Sequence, residues 1–266
     1  MKKILLASGC SFTDENFLSA VHPEMNCDWP KWPELLAKKL DMDYINLGQN
    51  GGGNEYIYSS LLEQILKTED KSQIGLVIPA WTQCQRKDFS LGSTMRWTND
   101  RIDKDGDVFS WMRRALNYCV SFQIMCERYN LEYMQVQMLS PYIDWLWGLK
   151  PRDLEIPGKF PEGFRYRYPG DAIKDNKKIV RLIDSYENRI NIKKFLGWPL
   201  YHEFGGYSLQ KRLIGWNNAK FKDDVVFNLI NPAIENKYKT MISLKDNHPN
   251  KLGHELIAEF IYDRLG

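Results

Sequence analysis

Short apolar runs alternate with amphipathic segments along the first half of the chain. Ile4–Ala7 is a continuous apolar run followed by residues 8–13 (SGCSFT), which is typical of a buried strand entering a tight turn. From Trp32 to Leu40 the apolar residues recur at helical spacing, and Pro33 is tolerated because it falls in the first helical turn. These residues predict a strand followed by a helix.

The alternation of strand and helix continues to about residue 140. Strands are predicted at Asp43–Leu47, Ile74–Ile78 and Leu131–Met138, whereas the polar residues 83–106 predict turns. A helix lies between the first two of these strands, and a long helix precedes the third. This order favours a parallel sheet with right-handed crossovers. The two helices have apolar faces formed by Tyr58, Leu61, Leu62, Ile65 and Leu66, and by Trp111, Ala115, Cys119, Phe122, Cys126 and Tyr129.

The pattern weakens beyond Pro141. Residues 140–240 contain many prolines, glycines and aromatic residues, and a helix is predicted within this segment over Ile179–Ile190. Loops longer than about 15 residues in compact domains are usually functional or disordered, and the aromatic content argues against disorder. We therefore expect an insertion over about 140–240 that forms a lid or a substrate wall. A short strand near Met241–Leu244 and a final helix close the chain.

Length and charge limit the classes of protein to consider. A chain of 266 residues suits a single domain, residues 1–266, with that insertion. Its composition, 43% hydrophobic and 26% charged, is that of a soluble globular protein. The 36 basic and 34 acidic residues are interspersed and give a net charge of +2, which favours neither nucleic acid nor an anionic membrane as a partner.

Localisation follows from the apolar runs and the cysteines. The first apolar run stops at Ser8, which is too short for a signal peptide. No other run approaches the roughly 20 apolar residues of a membrane span. Five cysteines form no CxxC pair, and an odd number argues against a disulfide framework, so buried thiols are expected. We expect a cytoplasmic or virion-associated protein of unknown oligomeric state.

Three polar turns follow predicted strands, at residues 9–13, 48–54 and 246–250. The carboxyl ends of parallel strands are where ligands bind in open α/β sheets, so these turns are expected to converge. Ser11 in the first turn is a candidate nucleophile, and His248 in the third is the candidate base that it needs. Asp246 is placed to orient the imidazole ring. Backbone N–H groups of Ser11 and of the loop Gly51–Gly53 are candidate donors to an oxyanion.

The same residues resemble the SGNH/GDSL hydrolase family, as a divergent, phage-like member. The sequence 9–12 (GCSF) resembles its first block, 46–51 (NLGQNG) its second, and 246–249 (DNHP) its fifth. The resemblance covers about residues 1–140 and 240–266. It implies a three-layer α/β/α sandwich with a flavodoxin-like parallel sheet and says little about the insertion. The pattern of elements itself predicts about five strands, with the long insertion before the last one. The resemblance also implies ester hydrolysis, or acyl transfer, with no cofactor.

Three departures from the family blocks bear on the site. Cys10 stands where the family usually has Asp, and Asp246 and His248 are separated by one residue instead of two. The shorter spacing implies either a different orientation of the ring or a Ser-His dyad. The third block, Gly-x-Asn-Asp, is absent after the strand ending at Ile78. Divergent members resemble this chain in having Trp-Ser/Thr and a following Arg there, which implies Thr82 or Gln83 as the third oxyanion donor and Arg86 as a substrate contact.

Several of these residues also have alternative interpretations. Asn54, which ends the second turn, joins the candidate oxyanion or substrate contacts, while the glycine run lacks the Lys-Ser/Thr of a phosphate-binding P-loop. Ser11 can also be a helix N-cap, and His248 a turn residue. His254 is expected on the exposed or half-buried side of the last helix, and His22 and His202 have no companions at metal-ligand spacing, so no metal is expected. The functional candidates are an esterase acting on a small or saccharide ester, for example a deacetylase, and a catalytically decayed carbohydrate-binding or structural module.

Overall fold

The computed structural model describes residues 2–91, 96–100, 103, 105–141, 178–200, 206–213, 239–243 and 246–266. Within these ranges the strands are β1 (Ile4–Ser8), β2 (Asp43–Asn46), β3 (Ile74–Trp81), β4 (Lys87–Leu91), β5 (Arg96–Asp100), β6 (Gln135–Gln137) and β7 (Phe195–Leu196). The α-helices are α1 (Trp32–Lys39), α2 (Asn54–Lys67), α3 (Val108–Arg128), α4 (Leu209–Leu213) and α5 (Lys251–Leu265), and residues 178–184 are also helical. Short 3-10 turns span Lys71–Gln73, Glu187–Arg189 and Ile192–Lys194.

The central sheet has five strands in the order β2-β1-β3-β6-β7. Every neighbouring pair is parallel. This is the flavodoxin-like, doubly wound order, in which the chain changes direction across the sheet between β1 and β3. Ligands bind at such a switch point, beyond the carboxyl ends of the two strands. A functional site is therefore expected at the turns after β1 and β3.

Helices cover both faces of this sheet. Successive side chains of a strand point to opposite faces, and in β1 Leu6 joins the apolar cluster under α2 and α3, whereas Leu5 and Ala7 join the cluster under α1 and α5. Both clusters are closed by buried helix residues, such as Leu61 on one face and Ile257 on the other. The predicted α/β class, with a parallel sheet of about five strands between two helical layers, is confirmed.

Several predicted elements differ from the observed ones. The antiparallel pair β4 and β5 occupies part of 83–106, where turns were predicted. Its polar residues carry too weak an alternation to indicate strands. The predicted strand at Leu131–Met138 is reduced to β6 with an isolated bridge from Tyr133 to Val77. Leu66, assigned to the apolar face of α2, is 55% exposed.

The predicted closing strand near Met241–Leu244 is wrong over the described residues 241–243. Met241 forms only an isolated antiparallel bridge with Pro249, and the fifth strand of the sheet is β7, which lies inside the segment predicted as an insertion. A strand of two residues leaves no periodicity for sequence analysis to detect. Most of 140–240 lies outside the described residues, so the single domain and the extent of the insertion stay predictions.

The described helices include none with both the length and the apolar content to cross a membrane.

Candidate active site

Ser11 stands in the turn that follows β1. The N–H groups of Thr13 and Asp14 both donate to the Cys10 carbonyl, at 2.8 and 3.1 Å, and close this turn tightly. Gly9 allows the chain to make the turn, because a Cβ at that position would lie 2.1 Å from Thr13 Oγ1. Cys10 is fully buried in the cluster under α1 and α5, whereas Ser11 keeps 7% of its surface exposed. Ser11 is thus presented at the carboxyl edge of the sheet.

The turn at residues 246–250 brings His248 to Ser11. The ring Nε2 lies 2.8 Å from Ser11 Oγ, across 237 residues of sequence. On the other side of the ring, Nδ1 lies 2.5 Å from Asp246 Oδ1. The same Oδ1 also accepts the backbone N–H of His248 at 3.1 Å. A spacing of one residue between the acid and the histidine therefore suffices, because the carboxylate folds back over the peptide that joins them.

The charges of this pair are set by burial and hydrogen bonding. Burial lowers the pKa of His248 below its ordinary value, the nearby Asp246 carboxylate opposes this, and the positive charge of Arg86 lowers the pKa further. Burial raises the pKa of Asp246, but hydrogen bonds from Ser19 and His248 outweigh it and leave this pKa below its ordinary range. At neutral pH the pair is therefore a carboxylate and a neutral imidazole.

The tautomer of His248 follows from its partners. An ionised carboxylate only accepts hydrogen bonds, so the proton of the neutral ring lies on Nδ1. Nε2 then carries a lone pair directed at the Ser11 hydroxyl, which is the arrangement of a general base. Two aromatic rings hold the imidazole in place, Phe17 with its centroid 4.2 Å away and Phe12 at 5.2 Å.

Arg86 fastens the glycine loop beside this site. Its Nη1 donates to the carbonyl oxygens of Gly51 at 3.2 Å and Gly52 at 2.8 Å, and its Nη2 donates to Gln83 Oε1 at 3.3 Å. Gly51 has a φ of +79°, which favours glycine. The predicted substrate contact Arg86 is thus hydrogen-bonded to three neutral oxygens of the protein itself.

Asp88 fixes the end of the same loop. Its two carboxylate oxygens accept the N–H groups of Gly53 at 2.8 Å and Tyr56 at 3.0 Å, where α2 begins. Negative charge is favoured at a helix N-terminus. Gly53 is confined by this contact, because a Cβ there would lie 2.5 Å from an Asp88 oxygen. The loop that carries Gly51 is therefore held from both sides.

The candidate oxyanion donors differ in whether they already take part in a hydrogen bond within the protein. The backbone N–H groups of Ser11 and Gly51 donate to no acceptor in the part of the chain that the structure describes. Gln83 offers its carboxamide oxygen to Arg86, which leaves its NH₂ group as a donor. Thr82 is fully buried, and its Oγ1 has no hydrogen-bond partner among the described residues.

Asn54 joins two elements of the site. Its Oδ1 accepts the Thr82 N–H at 2.9 Å, and its Nδ2 donates to the Thr82 carbonyl at 3.3 Å. The side chain therefore ties the start of α2 to the end of β3, and its amide is engaged by protein rather than directed to solvent.

Comparisons with known proteins bear on structure only. No family model matches this sequence, and no curated protein matches it. Among solved structures, the chain is similar to one described as a lipolytic protein of the G-D-S-L family from Desulfitobacterium hafniense DCB-2. The two are 13% identical, with 98% of this chain and 99% of that one covered and a TM-score of 0.46.

Two esterase structures are also similar. The psychrotrophic esterase EstA from Pseudoalteromonas sp. is 11% identical, with 99% of this chain and 96% of that one covered and a TM-score of 0.43. A carbohydrate esterase family 2 enzyme with a carbohydrate binding domain, from Corynascus thermopiles, is 15% identical, with coverages of 100% and 67% and a TM-score of 0.43. These are likenesses of the fold.

The residues that support Asp246 and His248 were missed in the sequence. Phe17, Ser19 and His22 lie in the loop after Ser11 and contact His248, Asp246 and the residues just before Asp246. No local pattern marks a serine that bonds an aspartate 227 positions away.

The other histidines and the cysteines have plainer environments. His254, expected on the exposed or half-buried side of the last helix, is buried on α5, where its Nδ1 accepts the Trp32 N–H at 3.3 Å and burial lowers its pKa to about 3. This expectation was wrong because α1 packs over that side of α5. All five cysteines are buried and unpaired. His202 lies outside the described residues, which contain no cluster of three or more potential metal ligands.

Proposed function

We propose that this protein is a serine esterase that cleaves a carboxylic ester with Ser11 as nucleophile, His248 as base and Asp246 as the acid that orients it. The observation that carries the proposal is the continuous line of hydrogen bonds from Asp246 through His248 to Ser11, at 2.5 and 2.8 Å. A serine hydroxyl is a poor nucleophile unless a base lies within hydrogen-bond reach and is itself oriented by a third group.

The reaction follows from the protonation states. His248 Nε2 takes the Ser11 proton as Oγ attacks the ester carbonyl, and it returns this proton to the departing alcohol, leaving an acyl group on Ser11. Water then attacks the acyl group with the same base, which releases the acid and regenerates the serine. Asp246 stays ionised throughout and stabilises the imidazolium that forms in each step.

The oxyanion is expected to lie between the turn after β1 and the glycine loop. The N–H groups of Ser11 and Gly51 are its first two donors, because neither donates to an acceptor among the described residues. The Gln83 NH₂ group is the preferred third donor over Thr82, since the Thr82 side chain is fully buried. Arg86 is close enough to lower the pKa of His248, so its charge also favours a developing oxyanion.

The catalytic distance supports hydrolysis over a decayed binding module. A module that had lost its activity would have no need to keep Ser11 Oγ within 2.8 Å of a correctly protonated imidazole. An alcohol can replace water in the second step, so acyl transfer uses the same groups. For the substrate we propose a small acyl ester, with an O-acetylated saccharide as the specific candidate.

Covalent labelling tests the proposal most directly. Wild-type protein is expected to turn over p-nitrophenyl acetate and to react with a fluorophosphonate at Ser11, as located by peptide mass spectrometry. Ser11→Ala is expected to lose both properties. Ser60→Ala is the matched control, since it removes another buried serine hydroxyl, on α2, that contacts Ser8 instead of the site. Turnover that survives in Ser11→Ala, or labelling at another residue, would contradict the proposal.

Saccharide specificity needs a separate measurement. Release of acetate from acetylated xylan should be measured, and the turnover of p-nitrophenyl acetate should be compared with that of p-nitrophenyl butyrate and octanoate. A preference for acetyl esters with turnover of the polysaccharide supports the deacetylase. Turnover of long-chain esters alone would support the esterase activity but would exclude an acetylated saccharide as the substrate.

A further inference from the structure

Ser19 bonds the carboxylate oxygen that His248 does not use. The side chain is 2% exposed, and its Oγ lies 2.5 Å from Asp246 Oδ2. The same Oγ accepts the backbone N–H of His22 at 2.9 Å. A backbone N–H can only donate and a hydroxyl has a single proton, so the Ser19 proton is left for the carboxylate.

This contact completes the hydrogen bonding of Asp246. Oδ1 accepts the ring Nδ1–H and the backbone N–H of His248, and Oδ2 accepts the Ser19 hydroxyl. Asp246 is 3% exposed, so water does not readily replace a lost partner. A buried acceptor left without its donor is costly. Removal of the Ser19 hydroxyl would therefore favour rotation of the carboxylate away from its present position.

A second contact joins the same two segments. The Asp246 N–H donates to Ser243 Oγ at 3.0 Å, and Ser243 Oγ lies 2.8 Å from His22 Nε2. The loop after the nucleophile therefore contacts the turn of the acid and base at both Ser19 and His22. Phe17 of this loop also packs on the imidazole ring.

We infer that Ser19 is a positioning residue of the esterase site, which fixes the Asp246 carboxylate so that His248 keeps its proton on Nδ1 and its lone pair toward Ser11. The inference rests on the proposed function. It also explains how a site with one residue between acid and histidine keeps its geometry, because the orientation of the carboxylate comes from a loop 227 positions away.

Ser19→Ala is expected to lower kcat for p-nitrophenyl acetate by about 10- to 100-fold, the range for loss of a hydrogen bond to a charged group. KM should stay within about twofold, because a serine this deeply buried behind Asp246 does not contact substrate. Ser60→Ala again serves as the control for loss of a buried hydroxyl. An unchanged kcat in Ser19→Ala, or a loss confined to KM, would overturn the inference.

A double-mutant cycle separates positioning from a general loss of structure. In an Asp246→Ala background there is no carboxylate to orient, so adding Ser19→Ala should change kcat by less than about twofold. If Ser19→Ala costs as much in this background as in the wild type, its effect does not pass through Asp246. Should Ser19→Ala fail to fold, Ser19→Cys keeps a weak donor at similar volume, and its kcat is expected to be reduced but not abolished.

Nuclear magnetic resonance keeps this inference separate from the proposed function. The ¹⁵N shifts of the His248 ring in the resting protein should show the Nδ1–H tautomer in the wild type and a mixture of tautomers in Ser19→Ala. This readout requires no turnover. If the wild type neither labels nor hydrolyses esters, the proposed function fails while the ring still reports on Ser19. An identical tautomer in both proteins would overturn the positioning role.

Discussion

Replacing Asp246 by asparagine tests whether the site depends on the charge of this residue or on the direction of its hydrogen bonds. In a Ser-His-Asp site the asparagine variant can place its NH₂ group against the histidine, forcing the ring into the wrong tautomer at a cost of about 10⁴ in kcat. The outcome depends on which end of the amide faces the ring.

The surroundings of residue 246 favour placing the side-chain oxygen of the asparagine, and not its NH₂ group, against the His248 ring. The acceptor at Oδ1 serves the His248 backbone N–H as well as the ring. A backbone N–H cannot accept, so an NH₂ group at this position would oppose it. The position of Oδ2 faces Ser19 Oγ, whose hydroxyl can accept from an NH₂ group. Asp246→Asn should therefore keep the Nδ1–H tautomer of His248 and lose only the negative charge.

The expected loss is correspondingly small. Hydrogen bonds with an ionised partner are about twice as strong as neutral ones, so the change costs about 1.5 to 2 kcal/mol of imidazolium stabilisation. This corresponds to a decrease in kcat of about 10- to 30-fold. Asp246→Ala removes the acceptor altogether and should lose about 10³-fold or more.

The pH dependence of kcat/KM provides a second test, because the direction in which its acidic limb moves is also predicted. Asp246 raises the pKa of His248, so removing its charge lowers that pKa further. The acidic limb of kcat/KM should therefore move to lower pH in Asp246→Asn, as measured with p-nitrophenyl acetate between pH 4 and 9. A loss as large as that of Asp246→Ala, or an acidic limb displaced to higher pH, would refute this reasoning about the amide.

Three further predictions concern the base, the glycine loop and the turn of the nucleophile. In the proposed mechanism only neutral His248 is active, and because burial lowers its pKa, the wild-type kcat/KM should reach half its maximum below pH 6.5; a midpoint above 6.5 would contradict this. Arg86→Ala removes three hydrogen bonds, so kcat should fall about 10- to 100-fold. It also removes a positive charge that lowers the His248 pKa, so the acidic limb of kcat/KM should move to higher pH. Arg86→Lys is the control that preserves the charge. Gly9→Ala places a Cβ 2.1 Å from Thr13 Oγ1 and 3.0 Å from Ala80 Cβ, so thermal denaturation should show a lower Tm; an unchanged Tm would mean that the turn relaxes without cost.

The sheet could be predicted from sequence where strands are long and apolar. β1 and β3 carry continuous apolar runs, and the helices between them have clear apolar faces, so their order along the chain already favours a parallel sheet. β7 has two residues, and the polar hairpin of β4 and β5 has no comparable signal. Their formation depends on tertiary contacts that no local pattern records.

Ser11 and His248 were predicted to meet, although one step of that prediction was wrong. His248 was expected to follow a strand at the sheet edge, but it is held instead by the bridge between Met241 and Pro249 and by Asn250, whose side chain caps α5. Asn250 also donates to the Met241 carbonyl at 3.0 Å, which ties the helix start to the bridge. A polar turn between a short extended segment and a helix carries the same sequence signal in either arrangement, so the residue was found and its support was not.

The spacing between Asp246 and His248 is the clearest case in which local sequence underdetermines a site. From spacing alone, one intervening residue leaves a reoriented ring and a Ser-His dyad equally open. The side-chain contacts distinguish the two, because Oδ1 serves both N–H groups of His248 while the loop after the nucleophile supplies the donor for Oδ2. Since Phe17 packs on the His248 ring and Ser19 bonds Asp246, this loop contacts both residues of the pair. Loss of the Ser19 hydroxyl should consequently lower kcat without any contact to substrate, and this effect should vanish once the Asp246 carboxylate is removed.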